Sequence, residues 1–218
     1  MPAPRLVKNI KKDIENTLIE LRSRDLLRDE MGISERCTGG NTYEISFSGK
    51  NDTGSIVYDN HISGNEIIET LLCNYQYTIL LYDKGLIQAE FIVKDNQVIK
   101  ERLVFMKKHN RVLSKEEIDE YEAEAVEWFE LDEGVPIMIR IDYAPDDHVD
   151  GKHAATHMTI SNHESCRIPI KGIVTFSEFV RFIMLHFYDV ELQLKTNRSS
   201  ADDTITDLEK KMVHFSWV

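Results

Sequence analysis

The chain is poor in cysteine, proline and tryptophan, with three, five and two of them in 218 residues. Cys37, Cys73 and Cys166 lie far apart and form no Cys-x-x-Cys pair, which speaks against a disulfide framework or a structural zinc ribbon and fits a reducing compartment. No uncharged apolar run approaches the roughly 18 residues of a membrane-spanning helix. The longest apolar stretch, Phe176 to Tyr188, is broken by Ser177, Glu178, Arg181 and His186. The opening MPAPRLVKNIKK has neither an apolar segment nor a small-residue cleavage site, so the expectation is a cytoplasmic protein without membrane contact. Glycine-rich phosphate loops, nucleophile elbows and Gly-x-Gly-x-x-Gly turns are missing. Bases are in the minority: 26 Lys and Arg against 38 Asp and Glu leave a formal charge of −12, which disfavours general electrostatic binding to nucleic acid. The excess acid is concentrated between Glu116 and Glu133, which hold ten carboxylates and no base.

Hydrophobic residues make up 42% of the chain, enough for a sizeable core. Val7, Ile10, Ile14, Leu18 and Leu21 recur at helical spacing and predict an amphipathic helix over 6–31, with Gly32 as its stop. Residues 1–32 therefore read as an N-terminal helix and 33–218 as a single domain. Tyr43, Ile45 and Phe47 alternate with polar residues as one strand. Ser63-x-x-Glu66, Ser114-x-x-Glu117 and Thr175-x-x-Glu178 have the form of capping boxes, in which each end satisfies an orphan donor of the other. The second opens an acidic helix striped by Ile118, Tyr121, Ala125 and Trp128. The third opens a helix apolar nearly all round, with Phe176, Phe179, Val180, Ile183 and Phe187 on one face and Phe182 and Leu185 on another. Such a helix belongs at the centre of a fold.

Between these helices YQYTILLYD, LIQAEFIVK and QVIKERLVFMKK are joined by tight turns at Lys84-Gly85 and Asp95-Asn96, which permit only antiparallel pairing. PIMIRIDYA and THMTIS alternate cleanly, CRIPI carries a proline that places it at an edge or an end, and VELQLK reads as a further strand. Ile205, Leu208, Met212 and Phe215 suggest a last short helix. The predicted architecture is α+β: an antiparallel sheet of five to seven strands with one face covered by the Thr175–Tyr188 helix. The N-terminal and acidic helices pack outside it or reach a partner.

The richest chemistry lies between Ile137 and Tyr188. His148, His153, His157 and His163, four of the eight histidines, fall within sixteen residues. Arg140 and Asp142 share one face of their strand, as His157 and Thr159 do of theirs. If the two strands are neighbours, these side chains meet, with Arg167 and the His148/His153 loop at the rim. Arginine, carboxylate and histidine together on a sheet face can bind an anion or perform acid–base chemistry on a phosphodiester. The candidate catalytic set is His157, Asp142, Arg140 and Arg167; the alternative is an ion pair and surface histidines on a solvated face. Read as exposed, His157 could be replaced by alanine at a cost within about 0.5 kcal/mol. His153-x-x-x-His157 has the ligand spacing of a helix, but a strand would hold the rings more than about 10 Å apart. No His-Glu-x-x-His motif is present, and His148, His153, His163 and Cys166 fit no known ligand spacing. The expectation is a chain without metal or cofactor.

YTILLYDKGLIQAEFIV, ERLVF, IRIDYAP, HAATHMTISNHESCRIPI and TFSEFVRFIMLHFY, in that order, resemble a bacterial domain-of-unknown-function family, numbered 2290, over residues 40 to 190 or so. That family brings no established activity. More faintly, the tyrosine-led hairpin, the Arg-x-Asp strand and the closely spaced histidines look like TumE-like toxins of toxin–antitoxin pairs, although a contiguous His-His-x-His cluster is missing. Two functions follow as expectations. One is a subunit of a multi-protein bacterial system, such as anti-phage defence, with a protein partner at the N-terminal or acidic helix. The other is a metal-independent ribonuclease-like toxin that binds RNA locally, with His157 as acid or base and Arg140 and Arg167 as phosphate clamps.

Overall fold

A computed structural model describes residues 3–59, 61–108, 114–124, 136–161, 165–194 and 203–216. In chain order the elements are α1 (Arg5–Ser23), β1 (Leu27–Glu30), β2 (Ile33–Gly39), β3 (Thr42–Phe47), α2 (Gly64–Cys73), β4 (Ile79–Leu81), β5 (Leu86–Lys94), β6 (Gln97–Lys107) and α3 (Lys115–Ala123). Then come β7 (Ile137–Tyr143), β8 (Thr156–Ile160), β9 (Ile168–Lys171), α4 (Phe176–Tyr188) and β10 (Phe215–Ser216). The class is α+β, but among the described residues the sheet has ten strands, more than the five to seven expected. Its order is β1-β4-β5-β6-β7-β8-β9-β10, antiparallel except where β10 runs parallel to β9. The nine-residue β5 serves two neighbours on one side, with Leu86–Ile87 facing β4 and Phe91–Lys94 facing the β2–β3 hairpin.

Three expectations need correction. The first helix stops at Ser23, because Arg22-Ser23-Arg24-Asp25 interrupts the apolar spacing and Asp25 turns into the left-handed region at φ 56°. Leu27–Glu30 then pairs with β4 as a strand. VELQLK is not a strand: Asp189 ends α4 in a left-handed cap, the Val190 N–H bonds back to the Met184 carbonyl, and Leu192 drops into the core from irregular chain. The C-terminal helix is only a single 3-10 turn, Glu209–Lys211, and Phe215 joins the sheet against Ile170. Ala125 and Trp128 of the acidic stripe lie outside the described residues.

The sheet is covered on both faces. Strand alternation sends Ala89, Phe91, Leu103, Phe105, Ile139, Ile141 and Met158 to one side, where α4 packs Phe176, Phe179, Val180 and Ile183 and α1 packs Val7, Ile14, Leu18 and Leu21. The N-terminal helix thus docks on its own domain, and this core crosses residue 32 without a break. Leu86, Val104, Met106 and Met138 face the other side, under Ile67, Ile68 and Leu71 of α2, Ile118 of α3 and Val57. Complete capping boxes at Ser114 and Thr175 start α3 and α4.

Two buried polar groups lie on the α4 side. Lys107 Nζ sits 2.6 Å from Asp83 Oδ2, and the Tyr188 hydroxyl and the Gly85 N–H both donate to Asp83 Oδ1 at 3.0 Å. Gly85 is required by close approach, since a Cβ there would sit 2.5 Å from the Tyr188 hydroxyl. Glu101 is entirely buried; its Oε1 accepts from the Val174 N–H at 3.3 Å, while Oε2 has no partner among the described residues. Burial, with Glu178 and Asp142 adding repulsion, pushes the Glu101 carboxyl well above its ordinary value. A carboxyl raised on folding loses stability as pH rises from the ordinary carboxylate range through its folded value. Glu101→Gln is therefore expected to stabilise the protein near neutral pH by about 1–3 kcal/mol, the cost of an unsatisfied buried group. Urea midpoints measured against pH should show the gain shrinking as pH falls toward the ordinary carboxylate range.

Candidate functional site: a polar row across the sheet

On the face opposite α4, the register aligns Glu90, Arg102, Asp142 and His157 in one row across β5, β6, β7 and β8. The next row holds Val104, Arg140 and Thr159. The sheet therefore brings Arg140, Asp142 and His157 together. Arg140 Nε donates to Asp142 Oδ2 at 2.6 Å, and His157 Nε2 lies 3.8 Å from the same oxygen. Arg102 pairs with Glu90, and Lys50 bridges Glu90 at 2.5 Å and Glu44 at 2.8 Å. Charges of both signs alternate along the row and cover one another.

His157 is not exposed. It is 3% accessible, with Nδ1 2.9 Å from the Ala154 carbonyl. That contact requires the proton on Nδ1, so the Nε2 lone pair of the neutral ring faces Asp142. Burial, helped by His153 and Arg167, holds the ring below the ordinary histidine value although Asp142 and Ala154 pull the other way. Burial and then Arg167 depress His153 likewise. Both rings thus resist the proton more when folded, and acidification below about pH 6.5 removes stability. The cover comes from the 3-10 turn Asp52–Tyr58, whose Val57 carbonyl accepts from Arg140 at 3.4 Å, and from the chain at buried Ala154, whose carbonyl meets the His157 ring.

The His153 and His157 rings meet edge to face, 4.7 Å between centroids, not at strand separation. β8 begins only at Thr156, so the residues before it leave the extended path, and the His153 ring and the Ala154 carbonyl both meet the His157 ring. His148 leaves this group to approach Glu209 at 3.2 Å. Arg167 and Cys166 are half-buried, and His163 lies outside the described residues. Arg102, Glu90 and Lys50 escape sequence reading because only the register aligns them with Asp142; the one signal is that Arg102 shares a strand face with the apolar Val104, opposite Leu103.

The fold is thus an α+β sheet covered on both faces, with a row of ion pairs buried under one of them. The chain belongs to the family of uncharacterized conserved proteins DUF2290, whose model matches residues 26–217. No curated protein and no solved structure matches the chain. Among the described residues no helix is long and apolar enough to cross a membrane.

Proposed function

We propose that the protein acts as a subunit of a multi-protein system, anti-phage defence being one such setting, through an apolar face at the β10 end of its sheet and its acidic helix. The observation that carries this is the concentration of exposed apolar side chains there. Leu208, Met212, Val213 (79% accessible) and Phe215 (43%) lie within eight residues of chain. Leu185 (44%) and Phe215 line a groove of about 400 Å³ together with Met158, Phe182 and His186. Contiguous apolar surface on a folded protein marks a contact site. On α3, which packs on the other sheet face toward the β1 edge, Glu116, Asp119 and Glu120 offer a separate negative surface, which suits a basic partner segment. The apolar stripe of α1 is already covered by α4 and the sheet, so that helix offers a partner only its polar side.

The ribonuclease reading has less support. A general acid or base must come within hydrogen-bond reach of its substrate. His157 is buried with Nδ1 held by backbone, and Arg140 is paired with Asp142. Arg167, half-buried, is what remains for a phosphate.

Co-expression with the products of neighbouring genes, followed by light scattering, tests the proposal. The wild type is expected to form a stoichiometric complex. Leu185→Glu and Phe215→Glu, which leave the core intact, should each weaken it by roughly thirtyfold or more, the loss of about 2 kcal/mol at an interface centre. His157→Gln should bind as wild type. A complex indifferent to both glutamates, or RNA cleavage lost with His157→Gln, would refute it.

A further inference from the structure

The β7–β8 loop and the C-terminal segment meet at a second polar cluster, built from residues remote in sequence, on the segment that also carries Leu208 and Met212 of the contact face. Val149 and His153 pair across a small hairpin, through N–H to carbonyl bonds of 2.8 and 2.7 Å, with Gly151 at φ 69° in its turn. This hairpin carries His148 and Asp150. Glu209 reaches them from the 3-10 turn of the C-terminal segment. His148 Nε2 is 3.2 Å from Glu209 Oε1, and one donor atom from each of His148, Asp150 and Glu209 lies within 4.8 Å of the other two.

The charges here do not balance. Glu209 is entirely buried, with Oε2 accepting from the Thr206 N–H at 2.9 Å, and Asp150 brings a second carboxylate beside it. Among the described residues neither forms an ion pair with lysine or arginine; the adjacent Lys210 turns to Asp203 and Asp207. Neutral donors from Thr206 reach both carboxylates, its N–H to Glu209 and its hydroxyl to Asp150, and an imidazole faces Glu209, but among the described residues no lysine or arginine neutralises the pair.

We propose that His148, Asp150 and Glu209 form a divalent-cation site, for zinc by the chemistry of its donors, which ties the C-terminal segment to the β7–β8 loop. One imidazole nitrogen and two carboxylate oxygens are donors that zinc accepts, and three of them leave a fourth position open, whereas magnesium and calcium take oxygen ligands. Tetrahedral coordination at about 2.1 Å spaces ligand atoms about 3.4 Å apart. The His148–Glu209 edge already has that length, and exposed Asp150 can close the remainder by rotating its side chain. The open position then lies beside Asp150, toward solvent. The expectation of a metal-free chain rests on spacings within 148–166; Glu209, some sixty residues on, lies beyond any such window.

The test uses the full chain, stripped with chelator and titrated with zinc chloride by calorimetry. About one zinc per chain should bind, and Tm should rise by roughly 5–10 °C at a hundredfold excess over Kd. His148→Ala and Asp150→Asn, chosen because neither side chain is fully buried, should fold as judged by circular dichroism yet bind more than about tenfold more weakly. Replacing the exposed Cys37 and Cys73 with serine should leave binding unchanged. A folded wild type that takes up no zinc, wild-type affinity in both His148→Ala and Asp150→Asn, or binding that vanishes with the two cysteines would overturn the site.

Discussion

Asp83→Ala is expected to destabilise the protein by about 3–5 kcal/mol, the usual cost of removing one partner from a buried ion pair. Lys107 and Asp83 are both almost wholly buried beneath Tyr188, and the Lys107 ammonium lies 5.3 Å from the Tyr188 ring centroid. Alanine would leave that ammonium without its carboxylate and remove the acceptor of both the Tyr188 hydroxyl and the Gly85 N–H. Burial, and then Asp83, pushes the Tyr188 phenol well above its ordinary value, so it stays a donor across the working pH range. A loss of this size lowers Tm by on the order of 10 °C in a chain of this length. Replacing both partners with apolar residues of similar volume should cost much less, because no charge is then stranded. Urea unfolding decides the matter: a single variant near the wild-type midpoint would mean that the pair is solvated.

Phe179→Ala and Ile183→Ala carry the other large effect. Both side chains are fully buried on the face of α4 that meets the sheet and α1. Truncation loses transfer free energy and leaves a cavity that rigid strands cannot collapse, at roughly 3–5 kcal/mol for the phenylalanine and 2–5 for the isoleucine. Midpoints close to wild type for both would place α4 outside the core.

What could be read from the sequence divides by distance along the chain. The capping boxes at Ser114 and Thr175 were legible because both partners lie three residues apart. The alternation of Ile87, Ala89, Phe91 and Val93 likewise reports a local pleat. The meeting of Arg140, Asp142 and His157 was legible once PIMIRIDYA and THMTIS were taken as neighbours, as β7 and β8 are. Burial of that row was not, since its cover comes from Asp52–Tyr58, more than eighty residues before Arg140, and from a polar loop that reads as solvated. Nor does any local pattern announce β10, two residues long and stable only against Ile170 and Lys171. Glu209 looks like one more acid in a charged tail until the fold sets it against His148.

Whether the polar row is structure or chemistry is decided most directly by the unfolding free energy of His157→Ala, measured alongside cleavage of a model RNA. As a buried ring held by the Ala154 carbonyl and set against Asp142 and His153, His157 should cost about 1–3 kcal/mol on removal. RNA should remain intact with wild type and variant alike. Stability within about 0.5 kcal/mol of wild type, together with a wild-type cleavage activity that the substitution abolishes, would contradict the account.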